Sequence, residues 1–408
     1  MHKLIRATLT GVVAVQMTVA CHAEAGTDDL AAPIVAGPPT FAAAVLSTRG
    51  QIISQQPVDP PFDDPDHTIG KAWRADYQSA SGIDGSRREV SGVFVVPPGT
   101  PPPGGWPVAA IAHGTTGIAV DCGPSADPKL LGFLSMVRDM TAHGYAVAFT
   151  DYEGLGAPGS HPYLEPRTAA VDMIDAVRAL RNIVPDVSNR WLAVGNSQGG
   201  QAAWAAGEMA KSYGDQLDLV GVVALSPAAN ITPFARRSAD QTLTHDQQAL
   251  QAALVAGVER YDPALRARNL IDAAVRAHEN DVFACHPTAA SSAIPQPEVH
   301  LANPDDVTAL RDALRRIALP QHELSAPLLV INGLADQIIP APWVAAAISA
   351  GCEMGDAIQH VEVSGAGHGD LGARSYQLMY QWMDDRLASL PAPSNCGRAP
   401  EQMEANNA

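Results

Sequence analysis

Basic residues are scarce in this 408-residue chain: 26 Lys and Arg stand against 43 Asp and Glu, a formal net charge of −17. That balance argues against nucleic-acid binding and against electrostatic docking on anionic membranes. It leaves neutral ester or lipid substrates open. Cysteine is sparse as well. None of the five cysteines stands in a CxxC or Cys/His spacing suited to zinc, and Cys285-His286 alone is too little for a metal site. Charged residues are only 17% of the chain, while 34 Gly and 33 Pro are spread without a repeat. That composition belongs to a folded protein with long loops, not to a disordered one.

The first residues read as an export signal. His2, Lys3 and Arg6 form a short basic region, Leu4 to Ala20 is largely apolar, and Ala23-Glu24-Ala25 supplies a small-x-small cleavage site. We therefore expect a signal peptide over 1–25, a secreted or periplasmic protein, and no integral membrane span in the mature chain. Val19-Ala20-Cys21 also resembles the end of a bacterial lipoprotein signal, although Thr18 stands where such signals usually carry Leu. Setting Cys21 aside leaves Cys122, Cys285, Cys352 and Cys396, which in an oxidising compartment permit three pairings. Cys352 and Cys396 flank the C-terminal part of the chain, and Cys122 and Cys285 lie in long irregular regions. That placement favours Cys122–Cys285 and Cys352–Cys396, with free buried thiols as the alternative.

Beyond the signal, residues 26–68 read as a loop-like arm rich in Pro, Asp and small residues. Alternating segments at Lys71–Tyr77 and Arg88–Val96 suit the antiparallel edge of a sheet. Short apolar runs follow at Val108–Ala112, Gly144–Phe149, Trp191–Val194 and Leu219–Leu225, separated by helical patterns such as Glu165–Arg181. Strands and helices in this rhythm indicate an α/β fold with a mostly parallel sheet covered on both faces. The rhythm breaks over 230–323, an Ala/Arg/Asp-rich helical stretch with no buried-strand run, and resumes at Leu328–Asn332. We expect a core of 26–229 and 324–396, a helical lid or cap over 230–323, and a flexible tail over 397–408. A strand at His360–Val363 and a helix from about Ala373 to Leu390 close the core.

Gly195-Asn196-Ser197-Gln198-Gly199 lies between the Trp191–Val194 strand and an Ala-rich helix. In that setting a GxSxG serine sits on a sharp strand-to-helix turn, its hydroxyl raised above the sheet edge. A serine hydroxyl needs a base to take its proton, and the base needs a third group to fix its tautomer. Ligand sites in open α/β sheets sit at the C-terminal strand ends. There stand Asp336, in the turn after Leu328–Asn332, and His368, just beyond His360–Val363. Asp356, Glu362 and His360 sit before or inside the last strand and reach the site less naturally. The oxyanion needs preset N–H donors, assigned to the backbone of Gln198 and Thr115, with Gly114 as fallback. His113 reads as a structural brace of its loop.

HGTTG at 113–117, DCGPS at 121–125, TDYEGLGAPGSHPYL at 150–164, GNSQGG at 195–200, LADQIIP at 334–340 and GAGH at 365–368 together resemble the secretory lipase family. These are α/β hydrolases akin to fungal lipase A and its bacterial relatives, and the likeness runs from about residue 90 to 390. The resemblance implies an exported, disulfide-bonded carboxylic-ester hydrolase with a helical lid after the sixth strand. It places the nucleophile on Ser197, the acid on Asp336 and the base on His368, and supports the Cys122–Cys285 pairing. Asn196 departs from the His or Tyr frequent before the nucleophile. The Asp151-Tyr152-Glu153 stretch reads either as a pocket border or as a structural turn.

The expected function is a secreted serine esterase or lipase that needs no cofactor or metal and acts on a small-molecule or lipid ester. A serine peptidase or acyltransferase on the same machinery, or a non-catalytic binding relative, are the alternatives.

Overall fold

Runs such as Ala146–Thr150, in which all five residues are buried, have no face to give to water and belong in a sheet covered on both sides. The computed structural model of the chain describes residues 30–37, 39–59, 62–286 and 297–405. The expected signal peptide and Cys21 lie outside them. Ten strands form one sheet: β1 (Ile52–Pro57), β2 (Lys71–Ala80), β3 (Arg87–Val96), β4 (Trp106–Ala112), β5 (Ala146–Thr150), β6 (Val187–Asn196), β7 (Asp218–Leu225), β8 (Leu328–Gly333), β9 (Ile358–Ser364) and β10 (Glu401–Glu404). Their order is β1-β2-β3-β5-β4-β6-β7-β8-β9-β10. The β1 to β3 edge is antiparallel, β3 meets β5 antiparallel, and every pairing from β5 to β10 is parallel.

The twofold period of a strand divides the core in two. Val108, Ala110 and Ala112 of β4 join one buried cluster, whereas Ala109 and Ile111 join the other. The helices are α1 (Ala43–Leu46), α2 (Leu134–Ala142), α3 (Pro166–Ile183), α4 (Gln198–Tyr213), α5 (Pro233–Ala239), α6 (His245–Glu259), α7 (Pro263–Arg266), α8 (Ala273–Ala277), α9 (Glu279–Val282), α10 (Pro304–Ile317), α11 (Ala341–Met354) and α12 (Ala373–Leu387). Helices α3, α4 and α11 cover the first face, and α2 and α12 cover the second. Helices α5 to α10 stand between β7 and β8, and their buried residues, among them Phe234, Leu254, Leu310 and Leu314, continue the first cluster.

Three expectations need correction. The 26–68 arm is not all loop, because α1 and β1 form within it. Strand β1 also raises the count, so the helical insertion follows the seventh strand and not the sixth. Residues 401–404, expected in a flexible tail, add β10 beside β9, with Glu401 opposite Val361. Cysteines pair as Cys122–Cys285 and Cys352–Cys396, and the second bridge ties α11 to the segment leading into β10.

Candidate active site

Strands β6, β7, β8 and β9 run parallel, with Asn196 opposite Leu225, Leu225 opposite Ile331, and Gly333 opposite Val363. Their C-terminal ends therefore share one edge, and Ser197, Asp336 and His368 all leave the sheet there. Ser197 adopts φ 58° and ψ −116°, a conformation most side chains avoid and one costing about 1–3 kcal/mol. The fold holds it by force of packing. A Cβ on Gly195 would lie 2.0 Å from the Gly199 carbonyl oxygen, and one on Gly199 would lie 1.9 Å from the Ala112 oxygen. The glycines of the pentapeptide are thus required by the close approach of β4, β6 and α4. The Ser197 N–H donates to the Leu225 carbonyl (2.9 Å), and its carbonyl accepts from Gln201 and Ala228 (both 3.1 Å). Ser197 caps α4, so Gln198 is the first residue of a helix whose free N–H groups point past the serine.

Asp336 and His368 meet directly. His368 Nδ1 lies 2.7 Å from Asp336 Oδ2, and the carboxylate side chain is fully buried. A carboxylate only accepts, so Nδ1 carries the proton and Nε2 is left as the basic atom. Asp336 is itself fixed, because its Oδ1 accepts from the N–H groups of Ile338 (2.8 Å) and Ile339 (2.9 Å). The two loops are tied by an Ala335 N–H donated to the Ala366 carbonyl (2.9 Å). The rival residues are engaged elsewhere. His360 Nε2 contacts Asn332 Oδ1 (2.7 Å), Asp356 accepts from the Leu324 N–H (2.8 Å), and Glu362 accepts from Gln402 (2.7 Å).

Ser197, Gln198 and Thr115 line one narrow cavity of about 40 Å³, whose apolar wall includes Phe234 and Leu254 from α5 and α6 together with Ile338 and Ile339. The residues that fix Asp336 thus also face the space beside the serine. Thr115, not Gly114, borders this cavity, and its Oγ1 lies 2.7 Å from the Tyr163 hydroxyl. His113 is enclosed, stacked on Phe149 and packed against Tyr152, whose hydroxyl donates to the His113 carbonyl (2.9 Å). Burial holds the His113 pKa down at about 4, so a neutral ring braces the loop. Asp151 is likewise buried structure: Ser91 Oγ (2.6 Å), the Ser125 N–H (2.8 Å) and the Ser125 hydroxyl all donate to it. Within the 121–125 motif, Asp121 accepts from the N–H groups of Cys285 (3.2 Å) and His286 (2.9 Å), beside the disulfide.

Sequence reasoning missed His161. Its ring lies against Gln198, with Nε2 2.9 Å from Gln198 Nε2. The only signal was its place in the 150–164 stretch that resembles a family motif, and no local pattern shows which residue it meets. Among the described residues no group of three or more His, Cys, Asp or Glu side chains is arranged to hold a metal ion.

The family model described as secretory lipase matches residues 133–291. Among solved structures, Candida antarctica lipase A in its closed state is 16% identical, with a TM-score of 0.68 over 89% of this chain and 88% of that one. A rice cell wall degrading esterase from Xanthomonas oryzae, in a ligand-bound form, is 19% identical, with a TM-score of 0.62 over 84% of this chain and 100% of that one. A putative hydrolase from Legionella pneumophila is 17% identical, with a TM-score of 0.60 over 83% and 96% respectively. No curated protein sequence matches the chain. At these identities the structural likeness shows the fold, which is that of the α/β hydrolases.

Proposed function

We propose that the chain is an exported carboxylic-ester hydrolase acting through Ser197, His368 and Asp336. The observation that carries this reading is the Asp336–His368 hydrogen bond on the strand edge from which Ser197 projects at a strained turn. The match to a secretory lipase model over 133–291 supports ester hydrolysis. That match and the two disulfides favour an extracellular setting.

In this mechanism Ser197 Oγ attacks the ester carbonyl carbon as His368 Nε2 takes its proton. The backbone N–H groups of Gln198 and Thr115 hold the oxyanion, where preset donors act without reorganising. Asp336 stabilises the imidazolium and keeps its orientation. The alcohol leaves with the proton from His368, and a water activated by the same ring then hydrolyses the acyl-enzyme. In this reading helices α5 to α10 serve as a lid, and Phe234 of α5 and Leu254 of α6 line the cavity that Ser197 also borders.

The test is Ser197→Ala. Hydrolysis of p-nitrophenyl butyrate should fall by roughly 10⁴-fold or more while the thermal unfolding midpoint holds. Wild-type protein should label stoichiometrically with a fluorophosphonate, and the variant should not. Normal turnover by the variant overturns the assignment.

A further inference from the structure

We infer that Gln198 also acts through its side chain, whose carbonyl selects acyl groups that carry a hydrogen-bond donor, such as a hydroxyl, close to the ester carbonyl. The inference rests on the reading of Ser197 as nucleophile and names the substrate class for that site.

The orientation of the Gln198 amide follows from His161. His161 Nδ1 lies 2.9 Å from the Glu153 carbonyl oxygen, which only accepts, so Nδ1 carries a proton. Burial depresses the ring's pKa to about 3, so it is neutral and Nε2 is an acceptor. The Gln198 amide must then present its NH₂ to Nε2, across 2.9 Å. The ring has little freedom to turn, being stacked on Tyr152 and tilted against Tyr163. The Glu153 end is fixed too, its N–H donating to Asp172 Oδ2 at 2.8 Å.

That arrangement commits the amide nitrogen and leaves Oε1 without a partner, although Gln198 is only 3% exposed. Gln198 lines the same cavity as Ser197. The remaining side-chain polar groups of that wall satisfy one another, with Thr115 Oγ1 and the Tyr163 hydroxyl 2.7 Å apart. The rest is apolar, including Leu164, Ile231 and Phe234. A buried acceptor on a residue of such a wall is costly to leave bare. A plain alkyl acyl group leaves it so, whereas a hydroxyacyl group donates to it. Sites built around a substrate hydroxyl discriminate through this asymmetry.

The test compares ethyl butyrate with both enantiomers of ethyl 3-hydroxybutyrate, followed by pH-stat. Wild-type enzyme should favour one hydroxy ester by about tenfold or more in kcat/KM. Gln198→Met, close in shape but without the carbonyl, should bring that ratio near one, whatever it does to the absolute rates. His161→Phe frees the amide to turn and should lower the ratio several-fold. Each ratio is measured on one enzyme sample, so any loss of folded protein cancels. Equal wild-type rates on the esters, or a preference that survives Gln198→Met, overturn the role of Gln198 and leave the serine mechanism standing. Absence of both hydrolysis and fluorophosphonate labelling removes the serine reading, and this inference with it.

Discussion

Asp336 holds two backbone donors and one imidazole at once, and that division of labour makes it sensitive to a single-atom change. Oδ1 accepts from Ile338 and Ile339, and Oδ2 faces His368 Nδ1. In Asp336→Asn the two backbone N–H groups keep the amide oxygen, so the NH₂ turns to Nδ1 and drives the ring proton to Nε2. His368 then has no basic atom for Ser197. We expect kcat on p-nitrophenyl butyrate to fall by about 10³–10⁴-fold with KM little changed. The melting temperature should stay within a few degrees, because the packing is isosteric. Near-normal kcat would place the acid elsewhere. Ser197, Asp336 and His368 are legible in the chain because each follows an apolar strand and their order matches the fold. The His161–Gln198 contact spans 37 positions and depends on how α4 meets the 150–164 loop. No local periodicity encodes it.

The insertion is anchored to the loop that follows β4, at Ile118, Asp121 and Cys122. The Cys122–Cys285 bridge closes 163 residues, Asp121 grips the backbone of Cys285 and His286, and the Arg260 guanidinium donates to the Ile118 carbonyl. Gly117, at φ 148°, sits so close that a Cβ there would lie 2.3 Å from one sulfur and 2.7 Å from the other. Chain-entropy estimates give about 5 kcal/mol for a loop of this length, and about 4 kcal/mol for the 44-residue loop of Cys352–Cys396. Paired Cys→Ala variants should both lower stability in urea titrations, by similar amounts. Only removal of Cys122–Cys285 should also depress activity well below the folded fraction, because it frees the Thr115 loop. Equal activity losses from the two variants would deny that coupling. Elements held by such distant pairing are the ones sequence patterns conceal. Strand β1 is exposed along nearly its whole length, and β10 reads Glu-Gln-Met-Glu, so neither shows an apolar face. Both are edge strands, held by backbone bonds to β2 and β9. Helix α2 buries Leu134, Val137 and Met140 within nine residues, too short a stripe to stand out before the sheet is known.

At the scale of the whole molecule, an acidic chain has buried several of its carboxyl groups, and this sets how stability responds to pH. Burial pushes the Glu208 pKa up to about 8, with Asp356 nearby adding repulsion, and burial likewise raises Asp175 to about 7. An acid whose pKa is higher folded than unfolded binds more protons in the folded state. Its stabilising effect is complete below the ordinary carboxylate range and is lost as pH rises through the folded value. Between about pH 5 and 8, then, Glu208 and Asp175 make the fold progressively less stable. Glu208 bridges α4 to the strand-leading segment before β8, accepting from the N–H groups of Gln321 and His322 (3.1 Å each). Glu208→Gln removes the titration and exchanges one of those hydrogen bonds for a poorer contact, a loss independent of pH. The variant should therefore melt slightly below wild type near pH 5 and gain on it steadily toward pH 9, by roughly 2–5 °C. Thermal unfolding across that range checks the sign directly. Parallel melting curves would mean that Glu208 keeps an ordinary pKa, and that its two backbone donors, not its burial, decide its charge.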